Sequence, residues 1–192
     1  MSSLAQPRIT LQEYLSIEET SGSLHEFLDG EIFEMEAASF GHQQIGVQFL
    51  GAIRPALRAN GCEIHFQGTR VATSMKGLYT YPDMVIFCGQ PRFWDTDSNA
   101  LSNPKALVEI LSPRTMDYDR GTKFQMYREV ASLEEYVAIH QDSPFVEHHV
   151  RQQDGSWRIR DLQGLGATLR MESVPVEVSF AIFYEGIEFD TK

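Results

Sequence analysis

At 192 residues, with 42% hydrophobic and 22% charged side chains, the chain can fill a sizeable buried core, which excludes a disordered polymer. Its 27 acidic against 16 basic side chains leave a formal net charge of -11, so a nucleic-acid partner would need a local basic or metal-bearing groove. Two cysteines are too few for a disulfide framework, and neither has a ligand neighbour at zinc-site spacing, so Cys62 and Cys88 are read as reduced, buried, small apolar residues.

The N-terminal MSSLAQPRIT lacks the basic-then-apolar order of a secretory signal. No apolar run approaches the roughly 18 residues needed to cross a bilayer, so the expected compartment is the cytoplasm. Thr10 is placed to cap a helix through LQEYLSIEE, with Glu13 completing a capping box and Gly22 stopping it. HEFLD and EIFEME then flank Asp29-Gly30, a dipeptide suited to a tight type I′ turn, which predicts a hairpin. From about Phe40 to Asn60, the spacing of Ile45, Phe49, Ala52, Ile53, Ala56 and Leu57 predicts a helix ended at Asn60-Gly61, with Pro55 arguing for a kink or early break.

CEIHFQ, TRVATS and DMVIFCG read as successive strands with Gly77 in a turn, and QPRFWDTDSNALSNP has loop composition. Phe93 and Trp94 in that loop would serve as packing, a lid or a partner contact. KALVEIL is nearly continuous in apolar residues, the pattern of a strand buried on both faces and the best candidate for the sheet centre. SPRT ends it and caps a helix over about Asp117–Val130 through Ser112 or Thr115; it lacks the glycines and lysine-serine of a phosphate loop. On that helix Lys123 and Tyr127 share a face, while Phe124, Met126 and Val130 pack inward. EEYVAIH, FVEHHVRQ, SWRIRD and VPVEVSFAIF supply the last strands. This order predicts one α/β domain over residues 1–192, a mixed β-sheet flanked by helices.

Chemistry concentrates in Asp83, opening the strand of PDMVIFCG, and Glu109, inside ALVEIL. A carboxylate in a buried strand costs several kcal/mol unless it is paired or ligates a cation. If the two strands are neighbours, both acids converge on one hard divalent ion of the Mg²⁺ type. Position 111, on the same face as Glu109, is Leu, but Lys123 sits on the helix that begins just after this strand and reaches back over the strand end, where it would orient or deprotonate an attacking water. His148 and His149 point to opposite strand faces and cannot jointly ligate one zinc ion. Arg114, Arg120, Arg128, Lys105 and Lys123 cluster near the site, with Asp117, Asp119 and Glu129 interleaved.

The stretch VEILSPRTMDYDRGTKFQMY, preceded by YPDMVIFCG, resembles the Uma-two family of restriction-endonuclease-like proteins, within the PD-(D/E)xK nuclease superfamily. HEFLDGEIFEM, SFGHQQI and SLEEYVAIHQD extend the resemblance over about residues 10 to 190. It implies a restriction-endonuclease-like core and Mg²⁺, with Mn²⁺ as the alternative. Asp83, Glu109 and the carbonyl of Ile110 would be the metal ligands, and Lys123 the catalytic lysine, moved from strand to helix. Glu26 and His42 match further residues of the family's site. The implied activity is hydrolysis of DNA phosphodiester bonds, with a homodimer expected because a duplex is itself pseudo-symmetric. Two rivals stand beside it: an inactive nuclease-like fold serving as a binding or assembly protein, favoured by the net charge, and a hydrolase of a small phosphorylated substrate, which predicts a closed pocket.

Overall fold

A computed structural model describes residues 8–74 and 77–189. The N-terminal residues 1–7, where most of the leader reading falls, lie outside them. Thr10 caps helix α1 (Leu11–Thr20), and its exchange of hydrogen bonds with Glu13 completes the capping box. The hairpin follows as β1 (His25–Leu28) and β2 (Glu31–Glu34), with Asp29 at φ 50° and Gly30 at φ 83°, the left-handed pair that a type I′ turn requires.

Helix α2 (Phe40–Ala59) buries Ile45, Phe49, Ile53 and Leu57. It runs through Pro55 without the expected early break. Pro55 and Gly51, whose carbonyl loses its donor, both lie on the exposed side, where water replaces the missing bond. At Gly46 the helix rests on Phe66, whose ring would lie 2.5 Å from any added Cβ, so only glycine permits this approach.

The strands form two mixed six-stranded sheets and a two-stranded ribbon. The first sheet has the order β2-β1-β5-β4-β8-β7, adding β4 (Arg70–Ala72), β5 (Tyr79–Thr80), β7 (Phe93–Trp94) and β8 (Asp97–Leu101). The second has the order β12-β11-β10-β9-β6-β3, from β3 (Cys62–Phe66), β6 (Met84–Cys88), β9 (Ala106–Leu111), β10 (Glu135–His140), β11 (Phe145–Arg151) and β12 (Trp157–Gln163). β9 is internal as expected: it runs parallel to β10 and antiparallel to β6, and all six of its residues are buried.

Several expectations are corrected. The turn-rich segment after β6 is not a loop: it contains β7 and β8, which pair with each other, and β8 also pairs with the distant β4. Trp94 packs there, its indole N–H donating to the Ala72 carbonyl at 3.2 Å. VPVEVSFAIF splits into β14 (Glu177–Ser179), paired with β13 (Thr168–Arg170), and a short helix α5 (Phe180–Phe183). The helix after β9 has three pieces: α3 (Met116–Tyr118), a π-turn (Asp119–Lys123) and α4 (Phe124–Tyr127). The cysteines are not free thiols. β3 and β6 pair so that Cys62 stands directly opposite Cys88, and the two are joined by a disulfide.

Alternation on β9 separates two cores. Ala106, Val108 and Ile110 face α2, α5 and the ribbon, whereas Leu107 and Leu111 face the π-turn helix and part of the first sheet. Glu109 shares the second face. Among the described residues, no helix is long and apolar enough to cross a membrane.

Candidate active site

Tyr81 and Pro82 carry the chain from β5 in the first sheet to β6 in the second, and Asp83 stands at this crossing. Its Oδ2 accepts the backbone N–H of Ile110 at 2.8 Å and lies 3.0 Å from Nε2 of His42, on the first turn of α2. The Asp83 N–H in turn points to Oε2 of Glu109 at 3.3 Å. The ends of β6 and β9 therefore bring both acids side by side, and Asp83 keeps 15% of its side-chain surface exposed. Because a strand residue directs its N–H and C=O to the same side, Ile110 also turns its carbonyl toward Asp83.

Glu109 is buried, and its Oε1 is shared by the Tyr127 hydroxyl at 2.7 Å and the Lys123 ammonium at 3.1 Å. Lys123 also reaches Glu26 Oε1 at 2.7 Å and Asp119 Oδ1 at 3.4 Å. Glu26 arrives from β1, where the Thr80 hydroxyl of neighbouring β5 donates to it. The five residues named from sequence for their side chains thus lie in one chain of contacts, His42 to Asp83 to Glu109 to Lys123 to Glu26, and Ile110, named for its carbonyl, joins it through its N–H to Asp83. Asp119, Tyr127 and Thr80 complete it. Tyr127 was readable only as a residue on the face of Lys123, and Asp119 only as an acid interleaved with the basic residues; its i,i+4 pair with Lys123 lies inside the site.

Three carboxylates around one lysine set the electrostatics. Burial pushes Glu109 up to about 8, and Asp119 and Asp83 add to this against the pull of Lys123. Burial also raises Asp119, more than Lys123 and Thr115 lower it. For Lys123, burial favours the neutral amine, but Glu109, Tyr127, Glu26 and Asp119 outweigh it and hold the ammonium well above its ordinary range. Lys123 therefore keeps its proton and serves as a fixed positive charge. Deprotonation of water, one of its two expected roles, does not suit this arrangement.

The donor set fits a hard cation. Among the described residues, no group of three or more His, Cys, Asp or Glu side chains could hold a metal ion unaided. Two adjacent carboxylates and a carbonyl, completed by water and substrate oxygens, are instead the usual environment of Mg²⁺. A near-neutral Glu109 at this site also gains from a positive charge, which would restore it to a carboxylate.

Next to these residues a groove of about 770 Å³ is lined by Ser39, Phe40, Gln44, Pro113, Gln141 and Glu188, among others. Its lining includes Gly41, adjacent in sequence to His42, and Pro113, three residues after Ile110. The expected basic cluster is largely neutralised: Arg114 pairs with Glu36, Arg120 with Glu147, and Lys105 with Glu134. His148 and His149 do face apart, His148 toward Glu135 and His149 toward Glu147.

Residues 11–182 match the model of the Uma2 family, described as "Putative restriction endonuclease". Two proteins of Synechocystis sp. (strain ATCC 27184 / PCC 6803 / Kazusa) are similar across nearly the whole chain. slr1290 is 32% identical over 186 residues, 95% of both chains, and sll1609 is 30% identical over 172 residues, 90% of this chain and 93% of its own. Among solved structures, a "putative nuclease belonging to DUF820" from Anabaena variabilis ATCC 29413 shares the fold with a TM-score of 0.75 at 17% identity. The match covers 92% of this chain and 97% of that one.

Proposed function

The chain belongs to the Uma2 family, and from that premise we propose that it is a metal-dependent endonuclease hydrolysing DNA phosphodiester bonds, with Asp83, Glu109 and the Ile110 carbonyl as the metal ligands. The observation that carries this reading is the meeting of Asp83 and Glu109 at the adjoining ends of β6 and β9, with Lys123 on the same Glu109 carboxylate. A bound Mg²⁺ or Mn²⁺ would supply Lewis acidity toward the scissile phosphate and acidify a water.

The chain's own residues do the rest. His42 and the Ile110 N–H both bond Oδ2 of Asp83, which leaves Oδ1 as the oxygen for a ligand. Tyr127 and Lys123 likewise hold Oε1 of Glu109 and direct Oε2 toward Asp83. Glu26 and Asp119 keep the Lys123 ammonium beside Glu109, where its charge offsets that developing on the phosphate in the transition state. The neighbouring groove gives a chain-like substrate a way past the site. Cutting both strands would call for two copies related by a two-fold axis.

A net charge of -11 and the neutralised basic cluster favour a second reading, a nuclease-like fold acting as a binding or assembly protein with the carboxylates as a structural ion site. Cleavage of supercoiled plasmid and single-stranded DNA at low salt, with Mg²⁺ or Mn²⁺, separates the two. Cutting by the wild type that Asp83→Ala, Glu109→Ala and Lys123→Ala each abolish supports the nuclease. An inert wild type whose melting point still rises with Mg²⁺ supports the binding protein.

A further inference from the structure

A second buried cluster lies on the other flank of the helix that carries Lys123. Glu147 on β11 is almost fully buried, and Arg120 Nε meets its Oε1 at 2.5 Å. His140 Nε2 lies 3.2 Å from Oε1, and His149 Nε2 lies 3.6 Å from Oε2. Burial would raise the Glu147 carboxyl, but His140, His149 and Arg120 together hold it well below the usual carboxylate range. This group is therefore a firmly seated anion, and the side chain it holds from the helix is Arg120.

Arg120 and Lys123 belong to the same π-turn, closed where the Phe124 N–H donates to the Asp119 carbonyl five residues back. Two rows of side chains, each spaced by four residues, leave this helix in different directions. Asp119, Lys123 and Tyr127 enter the carboxylate site. Arg120 and Phe124 lie over β10 and β11, where the Phe124 ring sits 4.3 Å from His149 and 5.0 Å from Tyr136, and the Tyr136 hydroxyl reaches the Asp119 carbonyl at 3.4 Å. A rotation of the π-turn that lifted Arg120 from Glu147 would carry Lys123 out of its carboxylates. An unbroken α-helix closes i to i+4 rather than i to i+5, so the turn needs such outside support.

We propose that Arg120, anchored on Glu147 between His140 and His149, is a positioning residue that sets the rotation of the π-turn and thereby the place of Lys123. The role rests on the reading of Lys123 as part of the catalytic site, but the position of Lys123 can be measured without any activity. The test is acetylation of lysines in the folded protein, followed by mass spectrometry, with the more exposed Lys105 as internal reference. Lys123 is protected in the wild type. Arg120→Ala raises its labelling relative to Lys105 by about tenfold through local opening of the turn. Arg120→Lys, which keeps a cation for Glu147, returns most of the protection. In the cleavage assay Arg120→Ala lowers kcat by up to about 10²-fold, as a misplacement near 1 Å does, and leaves KM unchanged.

Lys123 that stays protected in Arg120→Ala overturns the proposal. So does equal labelling in Val146→Ala, a core variant in the same strand as Glu147, matched for loss of thermal stability, because the effect would then be general loosening. If selective labelling appears while the wild type cuts no DNA, the positioning role stands and the nuclease reading falls.

Discussion

Glu109 and Glu135 are both buried glutamates on adjacent parallel strands of one sheet, yet the fold treats them oppositely. Glu135 is surrounded by donors: His148, the Glu172 N–H at 2.9 Å, the Ser173 N–H at 3.0 Å and the Ser173 hydroxyl. Although burial would raise its carboxyl, these bonds lower it. Glu109 instead shares its surroundings with Asp83, Asp119 and Glu26 around one lysine, and is pushed up to about 8. Folding has satisfied the first acid and left the second in want of positive charge. That contrast separates a structural polar group from a functional one more sharply than burial does.

The largest effect expected from this contrast is on Glu109→Gln, which loses cleavage by on the order of 10³-fold and keeps or raises the melting temperature. Lys123 is not left unpaired in this variant, since Glu26 and Asp119 remain. Plasmid cleavage and a thermal melt check both halves, and a collapsed melt would erase the distinction from Glu135. Glu135→Ala should cost about 3–5 kcal/mol in denaturant titration, because it strands His148 and the donors around Glu172 and Ser173.

The two acids also predict opposite responses to pH. The folded Glu109 binds a proton up to about 8 and the unfolded one only to about 4.5, so its contribution makes stability fall as pH rises through that window. Glu109→Gln flattens the slope, measured as melting temperature from pH 5 to 8. The Glu135 carboxyl is lowered, so its contribution is present above the ordinary glutamate value and lost as pH falls below it.

Tyr127→Phe removes one hydrogen bond from Oε1 of Glu109 and should cost about 1–2 kcal/mol, with cleavage reduced more than substrate binding. Smallest is Arg114→Ala. Its ion pair with Glu36 has side chains 78% and 64% exposed, and its loss should change stability by less than about 0.5 kcal/mol.

What sequence made legible follows the range of the interactions involved. The capping box of Thr10 and Glu13 and the Asp29-Gly30 turn are settled within a few residues, and both are where the pattern put them. β9 was legible because burial on both faces leaves an apolar run with one acid standing out. Lys123 was only half legible from local pattern, which puts it within reach of the strand end but offers a helical pair with Asp119 equally well; the resemblance decided for the site, and its contacts with Glu26 and Glu109 depend on two sheets meeting. The Cys62–Cys88 bridge and the pairing of β8 with β4 depend on register with distant partners, to which spacing along the chain is blind. The π-turn was hidden for the same reason. Gly121 weakens a helix locally, but nothing in the pattern separates a π-turn from an α-helix, and the side chains that hold the turn, Arg120 and Phe124, do so against β10 and β11.

That extra residue gives the gene an unusual point of tolerance. A π-turn is an α-helix that has absorbed one additional amino acid, so an in-frame deletion of the single codon for exposed Gly121 would let the segment close as an ordinary helix. Because a π-turn takes up its additional residue by local widening, the flanking turns would keep nearly their present directions, and Lys123 and Tyr127 would still face the carboxylates, with every acidic residue of the site still encoded. A relative one residue shorter in this segment is therefore still compatible with a working site, provided that the residues facing the carboxylates are kept.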